Sequence, residues 1–342
     1  MVGAGPGGLM AALTAARAGL EVTCYEARAD LRVSGCWLLG WQTQQLLADS
    51  GVGFRGRRCR RLRLCDQDLR PLYCLAYPEA EQASVVARQE LLEAMRRACL
   101  EQGVRLETGV RLRHPPRADV VVGADGCDSI VRRWAGLACL TRRIGDFYRG
   151  QLSAGAGLDG PVEVWTRDGR RFGVDPAADG LGLYCTAPNT EPQDWDEYVD
   201  SWPCALARRL LGSVDRQAVQ RCRCWDVWCH RWAKPPYFLV ADAAHGQAPN
   251  LGQGANLAIG DGFVLADLLG RHGQLETVGR EYQRRRKPLA RRFHLLALAL
   301  AWFSRQGSRP RDCLLRGLDR LDSVKPWVLA QVHFASPGEE GS

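Results

Sequence analysis

Three short stretches of this chain pair glycine with a carboxylate in the way a ligand bearing phosphate and sugar requires. Gly3, Gly5 and Gly8 form a G-x-G-x-x-G turn. The first glycine allows the tight turn, the second lets a pyrophosphate approach the backbone, and the third lets the next helix pack closely. Free N–H groups at that helix start, with the positive end of its dipole, attract phosphate. Glu26 follows about twenty residues later, where a carboxylate can hold ribose hydroxyls, and Arg28 stands close by. Read alone, these residues also suit an ordinary glycine-rich turn with a surface glutamate.

The second stretch is the apolar run 120–123 with Asp125-Gly126, then Ser129 and Arg132 on the helix beyond. Asp125 can accept hydrogen bonds from a sugar or from the backbone amides of that helix, and in isolation the second reading is favoured. The third stretch is the most specific. Asp242 follows the apolar run 237–241, which places its carboxylate at a strand end, where open α/β sheets bind ligands. Pro249, Gly252, Gly254 and Asn256 then make a rigid, open turn into a helix, whose N–H groups can stabilise negative charge on a flat ring. His245 fits either acid–base work or a structural role, and is assigned no catalysis.

Such turns need strands that feed them and helices that leave them. Only Met1 and Val2 precede Gly3, so the first strand is nearly absent, which implies a late start or a shortened sheet. Hydrophobic periodicity predicts helices over 7–18, 40–48 and 88–100, with Gly19 as a C-cap, and strands over 21–26, 104–108 and 119–123. Residues 61–77 read as a hairpin. From about Phe147 the texture changes to short extended runs, 147–152, 162–165, 171–174 and 181–185, the pattern of an inserted antiparallel sheet. Residues 194–211 and 254–269 read as helices, and 274–305 as one long or two shorter ones.

Composition narrows the class. A chain of 342 residues, 46% hydrophobic and 25% charged, suits a soluble globular protein with a large core. The N-terminal glycine turn stands where a secretory leader would need its basic and apolar regions. The longest apolar run, 294–303, is too short to span a bilayer. Net charge is +8, carried almost wholly by arginine, since Lys234, Lys287 and Lys325 are the only lysines. The arginine clusters at 57–61 and 284–286 lie far apart, which argues against a nucleic-acid reader. They read as solvated surface, with attraction of an anionic substrate as a secondary effect. The 14 cysteines include no CxxC pair, and Cys222, Cys224 and Cys229 beside His230 match no zinc or haem spacing. Free thiols in a reducing cytoplasm, with no structural metal, are expected.

Taken in order, Gly3 to Gly8 with Glu26, then Asp125-Gly126-x-x-Ser129-x-x-Arg132, then Asp242-Ala243-Ala244-His245 with Pro249-x-x-Gly252-Gln253-Gly254-x-Asn256 resemble the three fingerprints of class A flavoprotein monooxygenases, the para-hydroxybenzoate hydroxylase-like family. Arg88, opening its helix, resembles that family's flavin-contacting arginine, and 282–288 its basic stretch before the last helices. The resemblance spans nearly the whole chain. It implies an α/β fold in which an FAD-binding, Rossmann-like parallel sheet (1–146 and 237–325) carries an inserted antiparallel substrate sheet (147–236), C-terminal helices and a tail (326–342). By the same resemblance Gly3, Gly5, Gly8, Glu26 and Arg28 match the ADP half of FAD. Arg88 and Asp242 match positions near its pyrophosphate and ribityl chain, and Pro249, Gly252, Gly254 and Asn256 the loop beside its ring. Asp125 matches a position serving FAD and transient NADH or NADPH. Two departures are Ala241, where the family usually has glycine, and Gly260, where an acidic residue often precedes Asp261.

The reaction so implied is reduction of FAD by NAD(P)H, capture of O2 as a flavin hydroperoxide, and hydroxylation or epoxidation of an aromatic or polyketide-like small molecule. Tyr148, Trp165, Phe172, Tyr184, Trp225 and Trp228 are candidates to line the substrate pocket, or else ordinary core aromatics. No residue is assigned as catalytic base. The alternatives are a related non-hydroxylating flavoprotein, reductase or halogenase-like, and a shortened, catalytically silent FAD binder. A cytoplasmic monomer or homodimer, with no nucleic-acid partner, completes the expectation.

Overall fold

Small residues decide how the central layers come together. The computed structural model describes residues 1–153, 158–188, 194–306, 308–323, 325–326 and 328–329. Its first part runs α1 (Pro6–Arg17), β1 (Thr23–Glu26), β2 (Cys36–Leu39), α2 (Trp41–Asp49), β3 (Arg57–Cys59), β4 (Arg61–Asp66), β5 (Pro71–Ala76) and β6 (Ala83–Ala87). It continues through α3 (Arg88–Glu101), β7 (Arg105–Thr108), β8 (Val121–Gly123) and α4 (Ile130–Trp134). The middle comprises β9 (Cys139–Leu152), β10 (Val162–Trp165), β11 (Arg171–Ala177), β12 (Gly180–Thr186), α5 (Trp195–Asp200), α6 (Ala205–Gly212) and β13 (Gln220–Cys229). The last part is β14 (Ala233–Lys234), β15 (Tyr237–Leu239), α7 (Asp242–His245), α8 (Gly254–Arg271), α9 (Leu275–Ser304) and α10 (Ser308–Asp319). The expected tail, 326–342, lies almost wholly outside the described residues.

The α/β layer is built on parallel pairs, β1 with β7 and β8 with β15. Val2 joins them, bridging in parallel to both Tyr25 and Gly123. Its N–H reaches Val122 O at 2.8 Å, and the Ala124 N–H returns to Val2 O at 2.8 Å. Val2 therefore stitches the two parallel pairs together at the middle of the sheet.

Helix α1 lies against α8 through residues with almost no side chain. A Cβ on Gly262 would sit 2.2 Å from Gly7 O, and one on Gly270 would sit 2.5 Å from Ala18 Cβ. Gly7 is likewise close to Ala258, so contacts advance together along both helices, which run in the same direction. Their N-termini therefore open at the same side of the fold.

The antiparallel sheet has the order β13-β9-β12-β11-β10-β4-β5. It reaches back to Cys139, ahead of the change in texture at Phe147, and it recruits the β4–β5 hairpin through parallel pairing of β4 with β10. Strand alternation gives it two unlike faces. Phe172, Val174, Leu181, Leu183 and Cys185 bury one face beneath α5 and α6. The other carries Glu163, Tyr184 and Arg149 in line, because Glu163 pairs with Gly173, Gly173 with Tyr184, and Tyr184 with Arg149. The expected helix over 194–211 is instead α5 and α6, parted around Pro203. Residues 275–304 form one helix despite Pro288. Among the described residues, no helix is long and apolar enough to cross a membrane.

Candidate functional site

The glycine turn divides sharply by space. Gly3 has φ +101°, and a Cβ there would lie 2.3 Å from Ala124 O; on Gly8 it would lie 2.0 Å from Gly3 O. Neither position admits a side chain. Gly5 is the N-cap of α1, in an ordinary extended conformation (φ −74°, ψ 177°), with no side-chain cap and nothing within 4 Å of a Cβ. The first N–H groups of α1 thus have an open approach. Helix α8 begins similarly: its N-cap, Gln253, supplies no side-chain cap, and Gly252 and Gly254 both face open space. Two uncapped positive helix ends lie on one side of the molecule.

Glu26 lies against the glycine turn. Its carboxylate accepts from Ala4 N at 3.0 Å and from Arg28 N at 3.0 Å, with Arg28 Nε at 3.2 Å. Burial works against the charge, but the amides of Arg28 and Ala4 and then the Arg28 guanidinium outweigh it and hold the carboxyl below its usual range. Asp125 fulfils the capping reading with one oxygen only. Oδ2 accepts from Ile130 N at 2.7 Å and Val131 N at 3.2 Å, whereas Oδ1 is buried with no partner. Ser129 caps α4 through Arg132 N at 3.0 Å. The Arg132 guanidinium, buried, donates to Cys127 O at 2.7 Å and Ala243 O at 2.8 Å, tying the second stretch to the third.

Arg88 and Asp242 meet in the middle. The Arg88 guanidinium lies 4.4 Å over the Trp37 ring, its Nε buried without a partner. Burial, then Arg149 nearby, lowers its pKa, opposed by Cys222 and Asp242. Asp242 is accessible to solvent yet ringed by protein, as a group on the floor of a cleft is. Burial pushes its carboxyl up against the pull of His245, Arg88 and Arg149. Arg149 escapes sequence reasoning because it is one polar residue in a strand. So does Arg96, which has Nε and Nη2 buried and unpartnered and feels Glu26 and Arg28.

The backbone bends into Asp242 at Ala241, whose φ of +57° with ψ −142° is poorly suited to any residue with a Cβ. This explains why relatives implied by the resemblance prefer glycine there. Such strain costs about 1–3 kcal/mol, against about 0.5–1 kcal/mol for the extra freedom glycine brings to the unfolded chain. Ala241→Gly is therefore expected to stabilise the protein by about 1 kcal/mol and to raise Tm by about 1–2 °C. Thermal unfolding checks it, and a lower Tm would refute the strain.

Asp261 is the hidden anchor of this region. Fully buried, it accepts from His245 Nε2 at 2.5 Å, Arg286 Nε at 2.7 Å and Ala241 N at 3.1 Å. Burial disfavours its charge, but His245 and Arg286 prevail and hold its carboxyl below the usual range. His245 also packs 4.7 Å from the Trp232 ring, so its role here is structural. Gly260 is explained too: a Cβ there would lie 2.8 Å from Arg286 Nη2, in the space the guanidinium fills. Asn256 fixes the start of α8, accepting from Gly40 N at 3.0 Å and donating to Leu38 O at 2.9 Å.

A cavity of about 800 Å³ adjoins the turn that leads into α8. Pro249 and Asn250 form one wall, the first part of β9 another, and the last turns of α9 a third. Strand alternation decides between pocket and core for two of the candidate aromatics. Tyr148 and Phe172 point into the core beneath α5 and α6, while their neighbours Phe147 and Arg171 line the cavity. Trp165 packs on Phe303 with ring centroids 6.3 Å apart, and Trp228 on His294 at 4.0 Å. Tyr184 stands on the polar face of the sheet, its ring over Gly173.

Comparison with known proteins adds independent information. A family model described as FAD binding domain matches residues 100–294, and one described as NAD(P)-binding Rossmann-like domain matches residues 1–52. The chain is 29% identical over 260 residues to 3-hydroxy-4-methyl-anthranilyl-(aryl-carrier protein) 5-monooxygenase of Streptosporangium sibiricum, covering 72% of this chain and 71% of that protein. It is 31% identical over 185 residues to aurachin C monooxygenase/isomerase of Stigmatella aurantiaca, covering 49% of this chain and 46% of that protein, just under half of each. In fold it is similar to Klebsiella pneumoniae HpxO solved with FAD and uric acid, with a TM-score of 0.83 at 19% identity, over 97% of this chain and 94% of that one.

Proposed function

The chain belongs to the FAD-binding family of class A flavoprotein monooxygenases, and from that premise we propose that it hydroxylates or epoxidises an aromatic or polyketide-like small molecule, using NAD(P)H and O2. The observation that carries this reading is the pair of parallel, uncapped helix N-termini of α1 and α8, opened on one side by Gly5, Gly252 and Gly254. The residues present fit FAD. Two helix ends and arginine suit a pyrophosphate, Glu26 suits ribose hydroxyls, and Asp125 Oδ1, Arg88 Nε and the Arg96 guanidinium are buried polar atoms that want a partner.

Gly3, Gly5, Gly8, Glu26 and Arg28 would hold the ADP half, Arg88, Asp125 and Asp242 the middle, and Pro249, Gly252, Gly254 and Asn256 the ring. When bound, FAD supplies the redox chemistry that activates O2 after reduction by NAD(P)H. The protein's residues do the rest. Arg88 and Arg149 balance the Asp242 carboxylate and neutralise phosphate. The N–H groups of α8 favour negative charge at its open end. The sheet region 147–236, joined by β4 and β5, would present Phe147 and Arg171 to the substrate, while the walls of Leu298 and Ala301 limit water.

The purified protein is expected to be yellow and to oxidise NAD(P)H faster when a suitable aromatic compound is present, with a product heavier by one oxygen atom. A substrate panel read by NAD(P)H absorbance and product mass tests this. NAD(P)H oxidation that yields only hydrogen peroxide with every compound would count against the oxygenase reading.

A further inference from the structure

The chain enters the antiparallel sheet at Cys139, the first residue of β9, and leaves it at Cys229, the last residue of β13. These two cysteines face each other directly across the strand pair. Among the described residues, no other two of the 14 cysteines are partners in a strand register. The hydrogen bonds around them fix the kind of pair. In the next pair along, the His230 N–H donates to Ala138 O at 3.3 Å. Two residues before Cys229, the Val227 N–H turns away from β9 to Gly246 O at 2.7 Å. Bonded and unbonded pairs alternate along an antiparallel ladder, so Cys139 and Cys229 form an unbonded pair. There the Cα atoms stand about 4.5 Å apart and the side chains are drawn together on one face. A disulfide needs Cα atoms about 4.4–6.8 Å apart.

Both side chains belong to one apolar cluster, with Val227 and Ala243, but their surroundings are unequal. Cys139 is half-buried, its Sγ 3.6 Å from Leu140 O. Cys229 is buried and its Sγ donates to Ala243 O at 3.6 Å, one residue beyond Asp242. Burial, and then the Cys139 thiol beside it, pushes the Cys229 thiol up to about 12. Cys139 therefore meets an oxidant first, and Cys229 waits behind it as the second thiol.

We infer that Cys139 and Cys229 are a peroxide-responsive thiol pair, which closes to a disulfide and clasps together the two ends of the inserted sheet. Closure takes two steps. The Cys139 sulfur attacks one oxygen of hydrogen peroxide, the O–O bond breaks, the sulfur becomes a sulfenic acid and the other oxygen leaves as water. The Cys229 sulfur then attacks the Cys139 sulfur, the S–O bond breaks, and that oxygen leaves with the Cys229 proton as a second water. Two thiols lose two electrons and two protons, and peroxide is reduced to two waters. Peroxide from any source suffices, so the inference stands apart from the oxygenase reading. The bridge closes the whole arc 140–228, and a cross-link over so long an arc restricts the unfolded chain.

The test takes the purified protein with its FAD, reduces it with dithiothreitol, removes the reductant and adds hydrogen peroxide. Non-reducing peptide mapping by mass is expected to show Cys139 joined to Cys229. Tm should rise by about 3–6 °C, and dithiothreitol should reverse both changes. Cys139→Ser, at a half-buried position, and Cys229→Ala should melt close to the parent when reduced and show no rise with peroxide. Thiols that survive peroxide unlinked, a Cys139 carried on to sulfinic acid with Cys229 still free, a link to a different cysteine, or a cross-linked protein that melts no higher would each overturn the inference. Should a variant fail to fold, the peptide map and Tm of the parent protein still decide the matter.

Discussion

Gly5→Ala is expected to strip FAD from the protein without unfolding it. The backbone at Gly5 is already in a conformation any residue adopts, and nothing lies within 4 Å of the new methyl group. Replacing glycine by alanine at a compatible site ordinarily stabilises a protein by about 0.4–1 kcal/mol. Alanine is a poorer N-cap than glycine by a similar amount, so the apoprotein should melt close to the parent temperature. The open space is needed only if something approaches the start of α1. A methyl group there would hold a pyrophosphate off the N–H groups and weaken FAD by about 100-fold, close to 3 kcal/mol. Gly8→Ala offers the contrast, since its Cβ would lie 2.0 Å from Gly3 O and 2.9 Å from Ala124 Cβ. That variant should fail to fold rather than fail to bind. Flavin-fluorescence titration of the apoprotein, beside thermal unfolding, separates the two; Gly5→Ala that keeps its FAD would remove the pyrophosphate from this turn.

What was legible in the sequence is what short-range chemistry dictates. The glycine spacing, Glu26 at a strand end, Asp242 after its buried strand and the helix beginning at Arg88 all follow from local requirements, and the structure has them as read. Other features depend on distant partners. Nothing in 61–66 announces parallel pairing with 162–165, a match of Arg63 to Val162 set by the whole sheet. Pro288 would be expected to interrupt α9, but it is exposed on the helix surface, so the carbonyl it leaves unpaired can be met by water. Tyr148 and Phe172 stayed open between pocket and core because composition does not say which sheet face is polar; the registers at Glu163, Gly173 and Tyr184 do. Val2 shows a further case, in which a single residue ahead of a motif pairs with strands on both sides, a placement its local sequence does not announce.

Asp261 was the least legible and has the largest expected effect on stability. Asp261→Asn keeps shape and removes the charge that Arg286 and His245 both address at 2.7 and 2.5 Å. Arg286 is 4% exposed, so it would remain as a buried cation without a counterion. Breaking one side of a buried pair costs about 3–5 kcal/mol, which for a chain of this length lowers Tm by about 4–7 °C. Because the folded Asp261 has a depressed pKa, its contribution is complete above the unfolded carboxyl value near 4 and is lost as pH falls through the lower folded value. The gap between wild type and variant should accordingly be full at neutral pH and narrow in acid. Adding Arg286→Met removes the stranded charge, and the double variant should melt above the single one. The effect also reaches the cofactor, since Asp261 holds Ala241 N at 3.1 Å and so keeps the strained turn that presents Asp242. Asp261→Asn should lose FAD together with stability, whereas Gly5→Ala loses FAD alone. A variant Tm within a degree of wild type at neutral pH would show that the buried carboxylate is not what holds the third turn in place.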